Sequence, residues 1–522
     1  MNTTSTRMSR RRTLQMMSCG LLVTALPARL LRAADALVLK TNPFTLGVAS
    51  GYPTPSGVVL WTRLAPTLFE PGNGLPQAAA IPVQWEIAAD EAMKRIVASG
   101  TEYATPEWAH SIHVETDVLE PGLDYWYRFT AAGHRSPIGR THTAPRPDSK
   151  NESLKLAVAS CQQYEQGYYV AYRHMVQQPL DLIVHVGDYI YEASWGRNLV
   201  RRHGTPEAFT LDDYRNRHAL YRTDADLQAA HAHCPWLVTW DDHEVANDYA
   251  DATSEQNDEP TLFLGRRAAG YRAYYEHMPV PRRAVPFGAS MRLYAERAFG
   301  DLASIYLLDG RQYRDVQACA PLGERGASRG NCDALRDPRR TYLGAQQEEW
   351  LVGQLARSRS RWNLLAQGTV VSYIDEQTGP GERFWTDNWN GYPVARERLI
   401  SALVETKTSN PLLLGGDIHA FIASNLNFQP QNPSSAVVAG ELVTTSITSQ
   451  AMPQKQLDAA VTENQNLLFA NGENRGYLTL DLTRERMRAE LIAMDTVTEK
   501  TATARVLRAF VTESGRAGLV PD

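Results

Sequence analysis

The stretch DLIVHVGDYIYE, Asp181 to Glu192, opens as an apolar run and then breaks into acid and phenol. Leu182, Ile183 and Val184 follow one another without alternating polar residues, the pattern of a strand buried on both faces. Gly187 ends the run, and Asp188 and Tyr191 follow at its carboxyl end, where open α/β sheets gather their ligands. Five further runs share the pattern: LKLAVAS from Leu154, WLVTWDD from Trp236, FGDLASIYLLD from Phe299, RWNLLAQG from Arg361 and NPLLLGGDIH from Asn410. Helical stretches lie among them, namely QGYYVAYRHMVQQ, LDDYRNRHALYRTDADLQAAHAH and GAQQEEWLVGQLARS. Buried strands alternating with helices predict an α/β domain over residues 154–510, with TATARVLRAFVTES as a C-terminal helix.

Upstream, residues 41–145 contain only strand signals. FTLGVASG, GVVLWTRL, IPVQWEIA, HSIHVETD and DYWYRFTA are β-rich runs separated by Gly, Pro, Asn and Asp turns. In VLEPGLDYWYRF, Leu119, Pro121, Tyr125 and Tyr127 follow the order of a sandwich corner, where a tyrosine pins a loop. These features predict an all-β sandwich of fibronectin III or immunoglobulin type, joined to the α/β domain by the Pro-rich linker Ala144–Ser153.

Residues 1–36 read differently. SRRRTLQ precedes a short apolar segment, Met16 to Leu26, and then Pro27 and a small-residue stretch. That is a signal peptide of twin-arginine character and is too short to span a membrane, so it predicts passage through the Tat translocase to a periplasmic or secreted location. In an oxidising compartment Cys319 and Cys332, which bracket a polar loop, are expected to pair, while Cys234 reads as a small buried hydrophobe. With 53 Lys and Arg against 58 Asp and Glu, the net charge of -5 leaves no basic footprint, which argues against nucleic acid as a partner.

Four strand ends carry metal-capable side chains. They offer Cys161; Asp188 and Tyr191; Asp241, Asp242, His243 and Asn247; and Asp417 and His419. Each alone is compatible with capping a helix or turn; the alternating pattern predicts that all four ends converge in one sheet, which capping does not explain. A phenolate is a poor ligand for zinc or magnesium and a good one for ferric iron, to which Cys161 and His419 add a thiolate and an imidazole. Asp188 has a second oxygen with which to bridge a neighbouring ion, and the remaining oxygen donors, Asp242, Asp417 and Asn247, suit calcium.

The motifs GDYIYE, WDDHEVAND and GGDIH, with VASC before them and WTRLAP in the N-terminal part, resemble those of the PhoD-type alkaline phosphatases. That family is related to the purple acid phosphatases in the calcineurin-like metallophosphoesterase fold. The resemblance implies a β-sandwich core flanked by helices, Fe3+ and Ca2+ as cofactors, Asp188 as the bridging ligand and His243 as the catalytic histidine. It implies hydrolysis of phosphate monoesters and diesters by a metal-activated hydroxide, with release of inorganic phosphate. Arg215, with Arg217 and Arg222, offers phosphate contacts or a solvated helix face. In RFWTDNWNGYP, Trp385, Asp387, Asn388 and Trp389 form a loop that the family places near its active site, with substrate lining and simple packing both open. His185 reads as a core histidine; His231 and His233 stay unassigned. A phosphodiesterase of phospholipase D type, acting on phospholipids, and a catalytically inactive cell-surface binding protein are the alternatives.

Overall fold

The computed structural model describes residues 38–522 apart from 79 and 322, so the signal peptide expected over residues 1–36 lies outside the described residues. Two large mixed sheets organise the chain. The first has ten strands, in the order Val520–Pro521, Ala504–Glu513, Arg486–Met494, Gly476–Thr483, Ser153–Ala159, Leu182–His185, Trp236–Val238, Val48–Thr54, Gly57–Arg63 and Ser111–Glu115. The second has seven: Ala295–Phe299, Ala303–Leu307, Trp362–Ala366, Pro411–Gly415, Val437–Val443, Phe421–Asn427 and Leu467–Asn471.

The apolar runs explain the layering. In the second sheet Ile305, Leu307, Leu364, Leu412 and Leu414 join one core cluster with Leu156, Val158, Ile183 and Leu478 of the first sheet. Their neighbours Tyr306, Leu308, Leu365 and Leu413 point the other way, into a cluster with Leu351, Leu355, Leu399 and Leu403 of helices Ala345–Arg357 and Pro393–Glu405. A strand covered on both faces has no side on which a polar alternation would be useful. Helices Leu211–Arg222, Ala225–His233 and Pro260–His277 add Tyr214, Leu227 and Tyr274 to the first cluster. The long helical stretch from Leu211 divides at Asp224, whose carboxylate accepts the backbone N–H groups of Asp226 and Leu227 and so starts a second helix. The architecture is α/β with an N-terminal domain.

Two expectations fail. The four metal-capable strand ends do not share one sheet, because Ser153–Ala159, Leu182–His185 and Trp236–Val238 belong to the first and Pro411–Gly415 to the second, packed against it through the common core. TATARVLRAFVTES is a strand, Ala504–Glu513, paired antiparallel to Arg486–Met494 with Phe510 opposite Ala489 and Thr512 opposite Met487. Its Ala, Arg and Leu content suits a helix, but Val506, Val511 and Thr512 are β-branched, and the neighbouring strand supplies a full row of backbone partners.

The N-terminal strands divide between two sheets. Ile81–Ala88, Ile96–Ala104, Asp124–Ala131, His134–Arg135 and Gly139–His142 form one of their own. Val48–Thr54, Gly57–Arg63 and Ser111–Glu115 instead extend the ten-stranded sheet, through a parallel contact of Gly51 with Trp236. Val48, Leu60 and Ile112 from the extension meet Val83, Tyr127 and Phe129 in one cluster. Tyr125 Oη accepts the Glu120 N–H at 2.9 Å, as a corner tyrosine should. Cys319 and Cys332 form a disulfide, and Cys234 is buried with a free thiol.

Candidate metal centre

The strand Leu182–His185 delivers Asp188 through a turn that only glycine fits. Gly187 has φ +122°, and a methyl group there would stand 2.6 Å from Asp241 Cβ. The loops after neighbouring strands Leu182–His185 and Trp236–Val238 therefore touch. Glu244 ties them, accepting the N–H of Tyr189 at 2.6 Å and of Asp241 at 3.0 Å. Cys161, Asp188, Asp248, Asp417 and His419 all have positive φ, between 52° and 67°. For side-chain-bearing residues that conformation is strained by about 1–3 kcal/mol each, and it clusters where ligands must be aimed.

Three groups of ligand-capable atoms, each spanning no more than 4.8 Å, run in series: Cys161 with Asp188 and His419; Asp188 with Asp242 and His243; Asp242 with Asp248 and Asp387. Asp188 is common to the first two and Asp242 to the last two. In the first group Tyr191 Oη lies 2.9 Å from Asp188 Oδ2, 3.0 Å from His419 Nε2 and 2.9 Å from Ser449 Oγ. A phenol has one proton for the carboxylate and imidazole acceptors that converge on it. Asp188 Oδ1 is buried without a hydrogen-bond partner. Both observations fit a cation. His419 is arranged for the same purpose, because its Nδ1 faces the Gln450 carbonyl at 2.7 Å and leaves Nε2 on the side of Tyr191.

Electrostatics agree. Burial pushes the Asp188 carboxyl well above its usual range, opposed by His243 and reinforced by Asp242. Burial, then nearby carboxylates, does the same to Asp248 and Asp417. Burial and the Asp188 charge raise the Cys161 thiol and the Tyr191 phenol. Burial lowers His419 to about 3, so its imidazole is neutral. Asp242 and Asp387 are the exceptions: burial would raise both, but Arg311 with His243 holds Asp242 well below the usual carboxylate range, and Arg311 with Arg314 lowers Asp387. Buried acids of this density need positive charge, of which Arg311 and Arg314 supply a part. Arg311 meets Asp241 at 2.5 Å and Asp387 at 2.7 Å, and Arg314 pairs with Asp387.

His243 stands in the middle group. Its Nδ1 lies 2.7 Å from Glu192 Oε2, and its side chain is 15% exposed against 3% for Glu192. Burial alone would lower its pKa, but Glu192, Asp242 and Asp188 raise it well above the ordinary histidine value.

Several residues expected near substrate lie elsewhere, while Asn247 and Asp417, expected at the metals, stand beside the acidic groups. Arg215 is held by Glu276 at 2.6 Å and by Asp212, and its guanidinium is consumed by that pairing. Arg217 donates to the carbonyls of Tyr191 and Pro206, and Arg222 lies over the Trp61 ring. Trp389 is buried, donates to Gln367 and stacks on Tyr342, so it packs the core instead of lining substrate space. Asn247 directs its amide nitrogen to Asp248 and Glu255. Its neighbour Asp248 turns inward instead, donating its backbone N–H to Asp242 Oδ2 at 2.7 Å. Asp417 accepts from Thr369 Oγ1 at 2.8 Å, outside the three groups. His185 is a core residue stacked on Trp236. Asp248, Glu192 and Arg311 gained no role from the sequence, although WDDHEVAND and the end of GDYIYE carried a signal, and the resemblance places Asp387 only in a loop near the active site, not in the acidic group that it joins.

A cavity of about 960 Å3 opens beside Asp417 and His419, with Trp385 and Asn388 in its wall.

The family described as PhoD-like phosphatase matches residues 156–491, and the one described as PhoD-like phosphatase, N-terminal domain, matches residues 31–145. The chain is 45% identical over 487 residues to Alkaline phosphatase D of Bacillus subtilis (strain 168), covering 91% of this chain and 82% of that one. A solved structure titled "Structure of PhoD" superposes with a TM-score of 0.89 at 43% identity, over 93% of both chains. Sequence and fold thus agree along nearly the whole chain: it belongs to the PhoD-like phosphatase family and is a phosphoric ester hydrolase.

Proposed function

We propose that the chain hydrolyses phosphate monoesters and diesters at a two-metal centre of calcineurin-like metallophosphoesterase type, behind a fibronectin III-like sandwich. Cys161, Asp188, Tyr191 and His419 would hold Fe3+; Asp242, Asp248, Asp387 and Asp417 would hold Ca2+. The observation that carries this reading is the row of three groups sharing Asp188 and Asp242. The first group offers thiolate, phenolate and imidazole, which suit ferric iron, and the last offers only carboxylate oxygen, which suits calcium. Cations held there supply Lewis-acid neutralisation of the phosphoryl oxygens.

The chain's own groups do the rest. His243, locked at Nδ1 by Glu192, presents its other nitrogen to move a proton to the departing alkoxide. Arg311 and Arg314 fix Asp241 and Asp387 by ion pairs, lowering the Asp387 carboxyl and opposing the burial that raises Asp241 to about 6. Glu244 holds the Asp188 and Asp241 loops in register. For a catalytically inactive binding protein, none of this positioning would have a purpose.

Export by the twin-arginine route to the periplasm is part of the proposal, supported by SRRRTLQ and by the Cys319–Cys332 disulfide. Arg10→Lys with Arg11→Lys should then retain the protein in the cytoplasm.

The central test is chelation followed by reloading with Fe3+ and Ca2+, read on p-nitrophenyl phosphate and bis(p-nitrophenyl) phosphate. Full recovery should require both cations, and the iron-loaded protein should show a visible phenolate band that Tyr191→Phe removes. A colourless, fully active protein would refute the iron assignment.

A further inference from the structure

The cavity beside Asp417 and His419 has a second character. Trp195, Ile374, Trp385, Ile418 and Leu457 line it, with Ala460 of helix Gln454–Glu463. Trp195 stacks on His419 with ring centroids 5.6 Å apart and planes inclined by 13°. The apolar wall therefore begins against the imidazole of the metal centre, and Ile418 sits between Asp417 and His419 in the chain. At the rim Met452 is 38% exposed. Polar side chains, among them Arg197, Glu376, Asn388 and Gln450, line the rest of the cavity, but the stretch of wall named here presents mostly apolar carbon. A space of about 960 Å3 accommodates a single drug-sized group.

We infer that this cavity is the subsite for the non-leaving ester arm of a phosphodiester, and that the arm it takes is an apolar alkyl or aryl group. The inference rests on the phosphoesterase reading above. A monoester has no second arm, so the cavity selects among diesters: hydroxide bonds to phosphorus as one ester P–O bond breaks, that oxygen leaves with a proton from His243, and the other ester oxygen carries its substituent into the apolar space.

The test uses the metal-loaded protein and p-nitrophenyl alkyl phosphates from methyl to octyl, each releasing nitrophenol. Burial of the arm predicts kcat/KM rising about fourfold per added methylene over the first carbons. Ala460→Phe, which narrows the cavity at its apolar wall, should lower the octyl-to-methyl ratio. Met452→Asp, at the exposed rim where folding is insensitive to it, should lower that ratio as well. A wild-type ratio within about twofold across the series, or a steep one that neither substitution moves, overturns the subsite. No hydrolysis of even the methyl ester overturns the diesterase reading beneath it instead. Phosphatidylglycerol vesicles separate the sources of such an arm: cleavage lost in Ala460→Phe assigns it to lipid, and intact vesicles beside a favoured octyl ester assign it to soluble diesters.

Discussion

Replacing Glu192 with glutamine isolates what the carboxylate does for His243. The two side chains meet at 2.7 Å, both largely buried. Glutamine keeps the shape but has one acceptor oxygen for the two donors that Glu192 serves, the Asn247 N–H at 2.8 Å and His243; with that oxygen turned to His243, the histidine loses only the charge of its partner. A charge-assisted hydrogen bond contributes about 1.5–3 kcal/mol and a neutral one about 0.5–1.5, so the imidazolium loses about 1–1.5 kcal/mol of support. At 1.36 kcal/mol per decade, its pKa falls by about one pH unit. As the general acid, His243 then deprotonates earlier, and kcat/KM on the alkaline side should drop about tenfold while the acid side changes less.

Stability gives a second readout with its own sign. His243 has a folded pKa raised above 6.5, so its contribution is complete below that value and lost as pH rises through the folded one. Burial works to raise Glu192, but His243 holds its pKa below 4.5, so its contribution is present above that value and lost as pH falls. The stability gap between wild type and Glu192→Gln should be widest between pH 4.5 and 6.5. A pH–rate profile in which the alkaline limbs of the two proteins superimpose would refute this role.

Other outcomes follow from the same geometry. In chelator-treated protein the raised folded pKa values of Asp188, Asp248 and Asp417 mean that stability falls as pH rises above the ordinary carboxylate value. Calcium at a hundred times its dissociation constant should restore about 2.7 kcal/mol, measured as a shift of the thermal midpoint. Replacing Cys319 and Cys332 together with serine opens a loop of sequence separation 13 and should cost about 3 kcal/mol in denaturant unfolding. Asp387→Ala strands Arg311 and Arg314, both buried, and should cost about 3–5 kcal/mol besides activity.

What the sequence could reveal was set by distance along the chain. Cys161, Asp188, Asp242 and His419 follow apolar strands directly, so the strand pattern announces where they stand. Asp248 and Asp387 come from loops whose path is decided by packing. Asp248 is brought in by its own backbone bond to Asp242, and Asp387 by arginines more than seventy positions earlier. Glu192 closes the opening motif, but its partner is 51 residues away and only the fold introduces them. Arg215 shows the converse: an arginine on a helix near the right motif, neutralised by Glu276, 61 residues downstream. At the C-terminus the residues suited a helix and the open neighbour at Arg486–Met494 made a strand. Local preference lost there to a partner that the local sequence does not contain.

The extension of the ten-stranded sheet bears on how this protein could be cut or fused. A break at residues 146–155, between the two matched families, follows a natural seam in the sequence and not in the structure. It would strip Val48–Thr54 from the flank of Trp236–Val238 and remove the Tyr52 hydroxyl that donates to the Val238 carbonyl at 2.9 Å. The raw flank left behind would lie in the strand that leads straight to Asp241, Asp242 and His243. An enzyme trimmed to its catalytic family would carry a sticky edge, open to pairing with a second chain, next to its active site.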